Sequence, residues 1–189
     1  MNIETIIETI RCNNQINSKA LEAIIAIISN ILNKGYTINL VNLNNHLAKL
    51  SVVEGDLDNQ AIVYLNNKII IDPSQVKFYD HNLAFTMIII EMLRVNSDIG
   101  MLTEPISKGF NESFAISLMG IDGLAIYEEE QVICRLLSKI IGDDVMINIF
   151  FMGNMLNDLI DSLIKVGCSE EETINLIKLI KENYDTRMK

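Results

Sequence analysis

A chain of 189 residues, 49% apolar and 21% charged with only 9 Gly and 2 Pro, has the makings of one folded domain with a substantial core and argues against a disordered chain. Its formal net charge of -10, with no Lys/Arg stripe to offset it, argues against nucleic-acid and anionic-membrane partners. Met1–Arg11 carries Glu4 and Glu8 in place of a basic leader segment, and the apolar stretches Phe85–Leu93 and Val145–Met152 are far shorter than the roughly 20 residues a spanning helix needs.

In chain order, apolar residues at 3, 6, 7 and 10 predict a short amphipathic helix over Ile3–Arg11. Asn17 or Ser18 caps a long, mostly buried helix to about Asn33, which Gly35 ends. Asn42 is expected to cap a brief helix to about Leu50. The β-branched runs Ala61–Leu65 and Lys68–Ile71, joined by Asn66-Asn67, read as a hairpin with a two-residue turn, because Asn tolerates positive φ. It is the only strand pair the sequence predicts.

A second apolar helix is expected from about His81 to Val95, with Asp80 as its cap, followed by a loop over Asn96–Lys108 containing Pro105. A helix begins near Asn111, and Gly120–Gly123 interrupts the chain. Tyr127–Ile141 is helical, with Glu128–Glu130 in the first turn where they suit the helix dipole, and Gly142 stops it. Helices over Asp143–Met152 and Asn154–Val166 follow, the latter ending at Gly167. Ser169-Glu170-Glu171-Glu172 is a capping box opening a last helix to about Asn183.

Cys12, Cys134 and Cys168 are odd in number and form no CxxC, so they read as buried free thiols in a soluble cytoplasmic protein. The expected fold class is α+β: a mostly helical single domain over 1–189 with one small hairpin or sheet. Its parts are a helical region 1–52, the hairpin at about 61–71, helices over 81–120 and C-terminal helices over 127–183.

The segment Ile90-Glu91-Met92-Leu93-Arg94 has a glutamate where HExxH has its general base, but an alkane and a guanidinium where that motif has its two zinc-binding imidazoles. Eighteen residues beyond Arg94, Glu112 stands in Gly109-Phe110-Asn111-Glu112-Ser113, where a third zinc ligand would come from the next helix. Neither Ile90 nor Arg94 can donate an electron pair to a metal. The two histidines do not repair this. His81 lies nine residues before Ile90, about 13 Å along a helix axis, and His46 has no ligand-like neighbour. On residue types alone, Glu91 and Arg94 make an ordinary i,i+3 ion pair at the end of a core helix.

Several motifs in order give the pattern a context: Asn42-Leu43-Asn44, Ala61–Ile71, Ile90–Ser97, Gly109–Ser113, Tyr127-Glu128, and Ile140-Ile141-Gly142 ahead of Val145–Phe151. Over nearly its full length the chain resembles small gluzincin-like (HExxH zincin) metallopeptidase-type proteins of low-GC Gram-positive bacteria. Both zinc-ligand histidines and the second glycine of the Gly-Leu-Asn-Glu-Gly segment are replaced here, the last by Ser113. The resemblance implies a zincin-like fold with the small sheet beside the former HExxH helix. It also implies a vestigial site at Ile90, Arg94 and Glu112, with Glu91 in the base position.

With no metal, the carboxylates need another cation, and Arg94 is expected to bond Glu112, Glu91 or both. Ile90 should pack as a core residue. No catalytic residue, metal or cofactor is expected. The implied function is that of a catalytically inactive relative retained for binding or regulation, its partner a peptide or protein held against a sheet edge. One alternative is an atypical hydrolase using Glu91 and Glu112 without the usual zinc site. A second is a structural or oligomerisation module, signalled by an exposed apolar face in Met146–Ile164.

Overall fold

Isoleucines spaced three and four apart decide how the chain begins to fold. In the computed structural model, which describes residues 2–58, 60–76, 82–95, 101–121 and 126–189, Ile6 and Ile10 of helix α1 (Ile3–Cys12) are fully buried. So are Ile24 and Ile31 of α2 (Ser18–Asn33), where Ile27 and Ile28 are almost completely covered. Each such side chain contributes about 1.5–3 kcal/mol relative to exposure. The Asn17 side chain accepts from the Ala20 N–H at 2.9 Å to start α2, and Gly35, at φ +80°, takes the left-handed conformation after its end.

Helix α3 (Leu40–Leu47) starts three residues earlier than the sequence suggests and also ends earlier. Asn39, not Asn42, is its cap: the Asn39 side-chain Oδ1 accepts from the Asn42 N–H at 2.9 Å, which leaves the Asn42 side chain for other work. Strands β2 (Ile62–Leu65) and β3 (Lys68–Ile71) form the expected antiparallel hairpin, with Asn66 and Asn67 at φ +52° and +61°. A third strand, β1 (Ser51–Glu54), was not expected. It pairs parallel to β3, giving the order β1-β3-β2. Its other side is taken by Gln15 and Ile16: the Val52 N–H donates to the Gln15 carbonyl at 2.8 Å. Four residues are too few for alternation to show, and β1 is held by neighbours distant in sequence.

Helix α4 (Leu83–Met92) packs on α2, α3 and β2, so the small sheet lies beside it. Its cap is Asn82, whose side chain accepts from the Phe85 N–H at 3.0 Å; the expected cap Asp80 and His81 lie outside the described residues. These elements, Met1–Arg94 with Leu118–Gly120, form one compact unit. Within it the Asn30 amide donates to the Leu118 carbonyl at 3.0 Å.

The second unit is Val95–Ser117 with Ile121–Lys189. After a 3-10 turn at Met101–Thr103 comes α5 (Glu104–Met119), which starts well before Asn111. Pro105 was expected in a loop but sits in the first turn of α5, where its missing N–H costs no helical bond. Helices α6 (Glu128–Ile141), α7 (Asp143–Met152), α8 (Met155–Lys165) and α9 (Glu170–Arg187) follow. Gly142, at φ +99°, makes the turn between α6 and α7. The capping box forms as expected, although α9 runs on to Arg187 instead of ending near Asn183. An aromatic cluster fills the core of this unit. Phe110 lies 4.4 Å from Phe150 between ring centroids, and Phe151 meets Phe114 edge-on at 5.2 Å.

The chain is thus mostly helical α+β, with nine α-helices and one three-stranded sheet among the described residues. No helix among the described residues is long and apolar enough to cross a membrane.

Candidate functional site

The end of α4 shapes everything around Glu91. The helix stops at Met92 and does not continue to Val95 as the sequence pattern suggests. There the bonding tightens to three-residue spacing: the Leu93 N–H donates to the Ile90 carbonyl at 3.1 Å and the Arg94 N–H to the Glu91 carbonyl at 3.3 Å. Position 94 is therefore past the helix, and positions 90 and 94 do not share the regular helical face that HExxH uses to aim two imidazoles.

Ile90 is fully buried in the apolar core. Arg94 is buried as well, only 2% exposed, while Glu91 is partly open to solvent. The Arg94 Nη1 donates to Glu91 Oε1 at 2.7 Å, a charge-assisted bond linking the turn back to the helix. The Asn42 side-chain amide, released from capping α3, donates to the Arg94 carbonyl. Nothing in the sequence signalled that link, because it joins residues 52 positions apart. Glu91 also reaches the sheet electrostatically. Burial raises the Tyr64 phenol above its ordinary pKa, and the Glu91 charge raises it further.

Glu112 belongs to the second unit, where it is fully buried on α5. Its Oε1 accepts from the Ile126 N–H at 2.6 Å. Its Oε2 accepts from the Tyr127 N–H at 2.7 Å and from the Gln131 amide at 2.8 Å. Tyr127 stands at the cap position of α6 and supplies no side-chain cap of its own. Glu112 thus provides from α5 what the local sequence omits, and its negative charge sits at the positive end of the helix dipole. Gly109, one turn earlier on α5, permits this approach, since a Cβ there would run into the Glu130 backbone.

Two cations of this unit also have fixed places. Lys108 pairs with Glu104 at 2.7 Å, donates to the Tyr184 hydroxyl at 2.5 Å, and lies 5.4 Å from the Tyr127 ring centre. Burial alone would lower the Lys108 pKa, but the bonds to Glu104 and Tyr184 raise it above the ordinary value. Arg187 pairs with Glu129 at 3.1 Å and with the buried Glu130. Of the cysteines, all free, only Cys134 is buried as expected. Its Sγ donates to the Ile106 carbonyl at 2.9 Å, and burial pushes its pKa up to about 12. Cys12, the last residue of α1, is exposed, and Cys168, in the connection between α8 and α9, is half-buried.

A zinc ion, which the resemblance to zincins would imply, does not fit this donor set. Ile90 offers no lone pair, and a guanidinium at position 94 offers positive charge. His46 sits half-buried in the last turn of α3. Among the described residues, no three His, Cys, Asp or Glu side chains gather as a metal centre would require. No protein-family model, curated protein or solved structure matches the chain.

Proposed function

We propose that this chain is a catalytically inactive, zincin-like cytoplasmic protein that binds an extended peptide segment and performs no hydrolysis. The observation carrying the reading is that both carboxylates of the degenerate motif are committed. Glu91 bonds a buried arginine, and both oxygens of Glu112 hold the start of α6. A carboxylate bonded in this way is poorly placed to take a proton from water.

What supports peptide binding is the outer edge of β2. In a two-residue hairpin, Leu65 and Lys68 exchange backbone bonds, and bonded pairs then alternate to Val63 with Ile70 and to Ala61 with Asp72. The Asp72 N–H donates to the Ala61 carbonyl at 3.0 Å, in keeping with that register. Ile62 and Tyr64 therefore turn their backbone N–H and C=O groups away from β3, and no described strand pairs with them. An added strand would find donors and acceptors there, beside the exposed Leu65 and near Glu91.

Two measurements test this. Untagged protein, stripped with chelator and titrated with zinc, is expected to take up none stoichiometrically; one zinc per chain overturns the inactive reading. Random heptapeptides displayed on phage should be enriched by the protein and lost with Tyr64→Pro, which removes an outward N–H while sparing the hairpin bonds. Equal enrichment by the variant removes the β2 edge from the proposal. The zincin relationship is tested separately by Ile90→His with Arg94→His. Zinc gained by the double variant supports it, and no gain counts against it.

A further inference from the structure

The apolar face expected in Met146–Ile164 is mostly core: Met146, Ile149, Phe150, Phe151, Met155, Leu159 and Leu163 are all buried. An exposed apolar strip of this unit lies on α6, where Val132, Leu136 and Ile140 are 43%, 55% and 52% exposed, and α9 also exposes Leu176 and Leu179. Burial on α6 falls at Glu130, Gln131, Cys134, Leu137 and Ile141. At 100° per residue, the strip is centred on the side of the helix opposite that face.

The charges on the strip have an order. Glu129, Val132, Leu136 and Lys139 follow one another at spacings of three, four and three, the seam of a coiled coil. Glu129 and Lys139 are exposed at its two ends, and Glu129, although it pairs with Arg187 of its own chain at 3.1 Å, keeps a 67% exposed side chain that a second cation can approach. The seam is self-complementary in one orientation only. Laid against a second copy running the opposite way, Val132 meets the other Leu136, and Glu129 meets the other Lys139, at both ends. Laid parallel, Glu129 would face Glu129 and Lys139 would face Lys139. A twofold axis across the helix produces the antiparallel arrangement, and opposed helix dipoles favour it.

We propose that the outward face of α6 is a homodimer contact, with α6 of one copy antiparallel to α6 of a second about a twofold axis near Cys134. This goes beyond the peptide-binding reading and does not depend on it. One 14-residue helix offers less surface than a standard interface, and each copy carries a net charge of -10, so the dimer is weak. Its dissociation constant should be on the order of 100 μM.

Sedimentation velocity of the full chain from low micromolar to about 1 mM, bracketing that constant, tests the proposal. Wild type should shift from monomer to dimer across the range, and Leu136→Glu should stay monomeric with an unchanged far-UV circular dichroism spectrum. Lys139→Glu should weaken association about tenfold, and Glu129→Lys combined with Lys139→Glu should restore it. A wild type that stays monomeric throughout overturns the proposal and leaves the strip to another partner. A dimer that survives Leu136→Glu overturns the placement. Failure of the double exchange to restore what Lys139→Glu loses overturns the antiparallel register.

Discussion

The Glu112 carboxylate caps a helix from a different segment of the chain, its Oε2 accepting the Tyr127 backbone N–H at 2.7 Å. Removing that acceptor leaves the part-buried Ile126 and Tyr127 N–H groups and the buried Gln131 amide without it. Glu112→Ala should therefore destabilise the protein by about 3 kcal/mol, and Glu112→Gln by about 1–2 kcal/mol, since the amide keeps one acceptor but turns an NH2 toward an N–H. Urea unfolding at neutral pH measures both. If Glu112→Ala unfolds at the wild-type midpoint, the cap has no energetic weight.

Arg94 and Glu91 differ in burial, so their deletions should differ in cost. Arg94→Ala removes a covered aliphatic stem as well as a charge and should cost about 2–4 kcal/mol. Arg94→Met, which keeps most of the volume, should lose less than half of that. These costs are read as shifts in thermal and urea midpoints. Equal losses in the two variants would show that the charge, not the packing, holds this turn.

Gly109 lies against the Glu130 backbone, which cannot swing aside as a side chain would. Gly109→Ala should force α5 and α6 apart and cost about 2–3 kcal/mol, despite alanine's better helix propensity. Gain of stability in that variant would mean that the two helices do not approach as described.

Asp72 gives the acid side of the stability curve a visible contribution. Its carboxylate accepts from the Ser74 hydroxyl at 2.6 Å and the Ser74 N–H at 2.8 Å, and these bonds hold its pKa below the ordinary 3.8. A lowered folded pKa means stabilisation that is fully present above the ordinary value. It is lost as pH falls below 3.8 through the folded value. Asp72→Asn should therefore show a shallower decline in thermal midpoint below pH 4 than wild type (about the ordinary aspartate range). Superimposable acid limbs for the two proteins would remove Asp72 from the account.

How much of this could be read in advance depended on distance along the chain. Asn66-Asn67, Gly142, Gly167 and the Ser169–Glu172 box act within four residues, and each turn or cap formed where its residue types place it. Errors arose where two local signals competed. Asn39 and Asn42 can both cap, and the choice fell to the one that frees Asn42 for the Arg94 carbonyl. Pro105 marks a loop or a first helical turn equally well, and only the packing of α5 selects between them.

The candidate site shows the same division. The sequence by itself determined that residues 90 and 94 carry no metal-binding atoms, because donor chemistry belongs to the side chain wherever it is placed. It also determined a helical chain punctuated by glycine and asparagine. Tertiary structure alone decided that β1 joins β3, that Arg94 is buried, that Glu112 caps α6, and that Val132, Leu136 and Ile140 face outward. The physical reason is that periodicity shows a helix has an apolar side, whereas burial and long-range hydrogen bonds depend on which neighbour arrives to cover it.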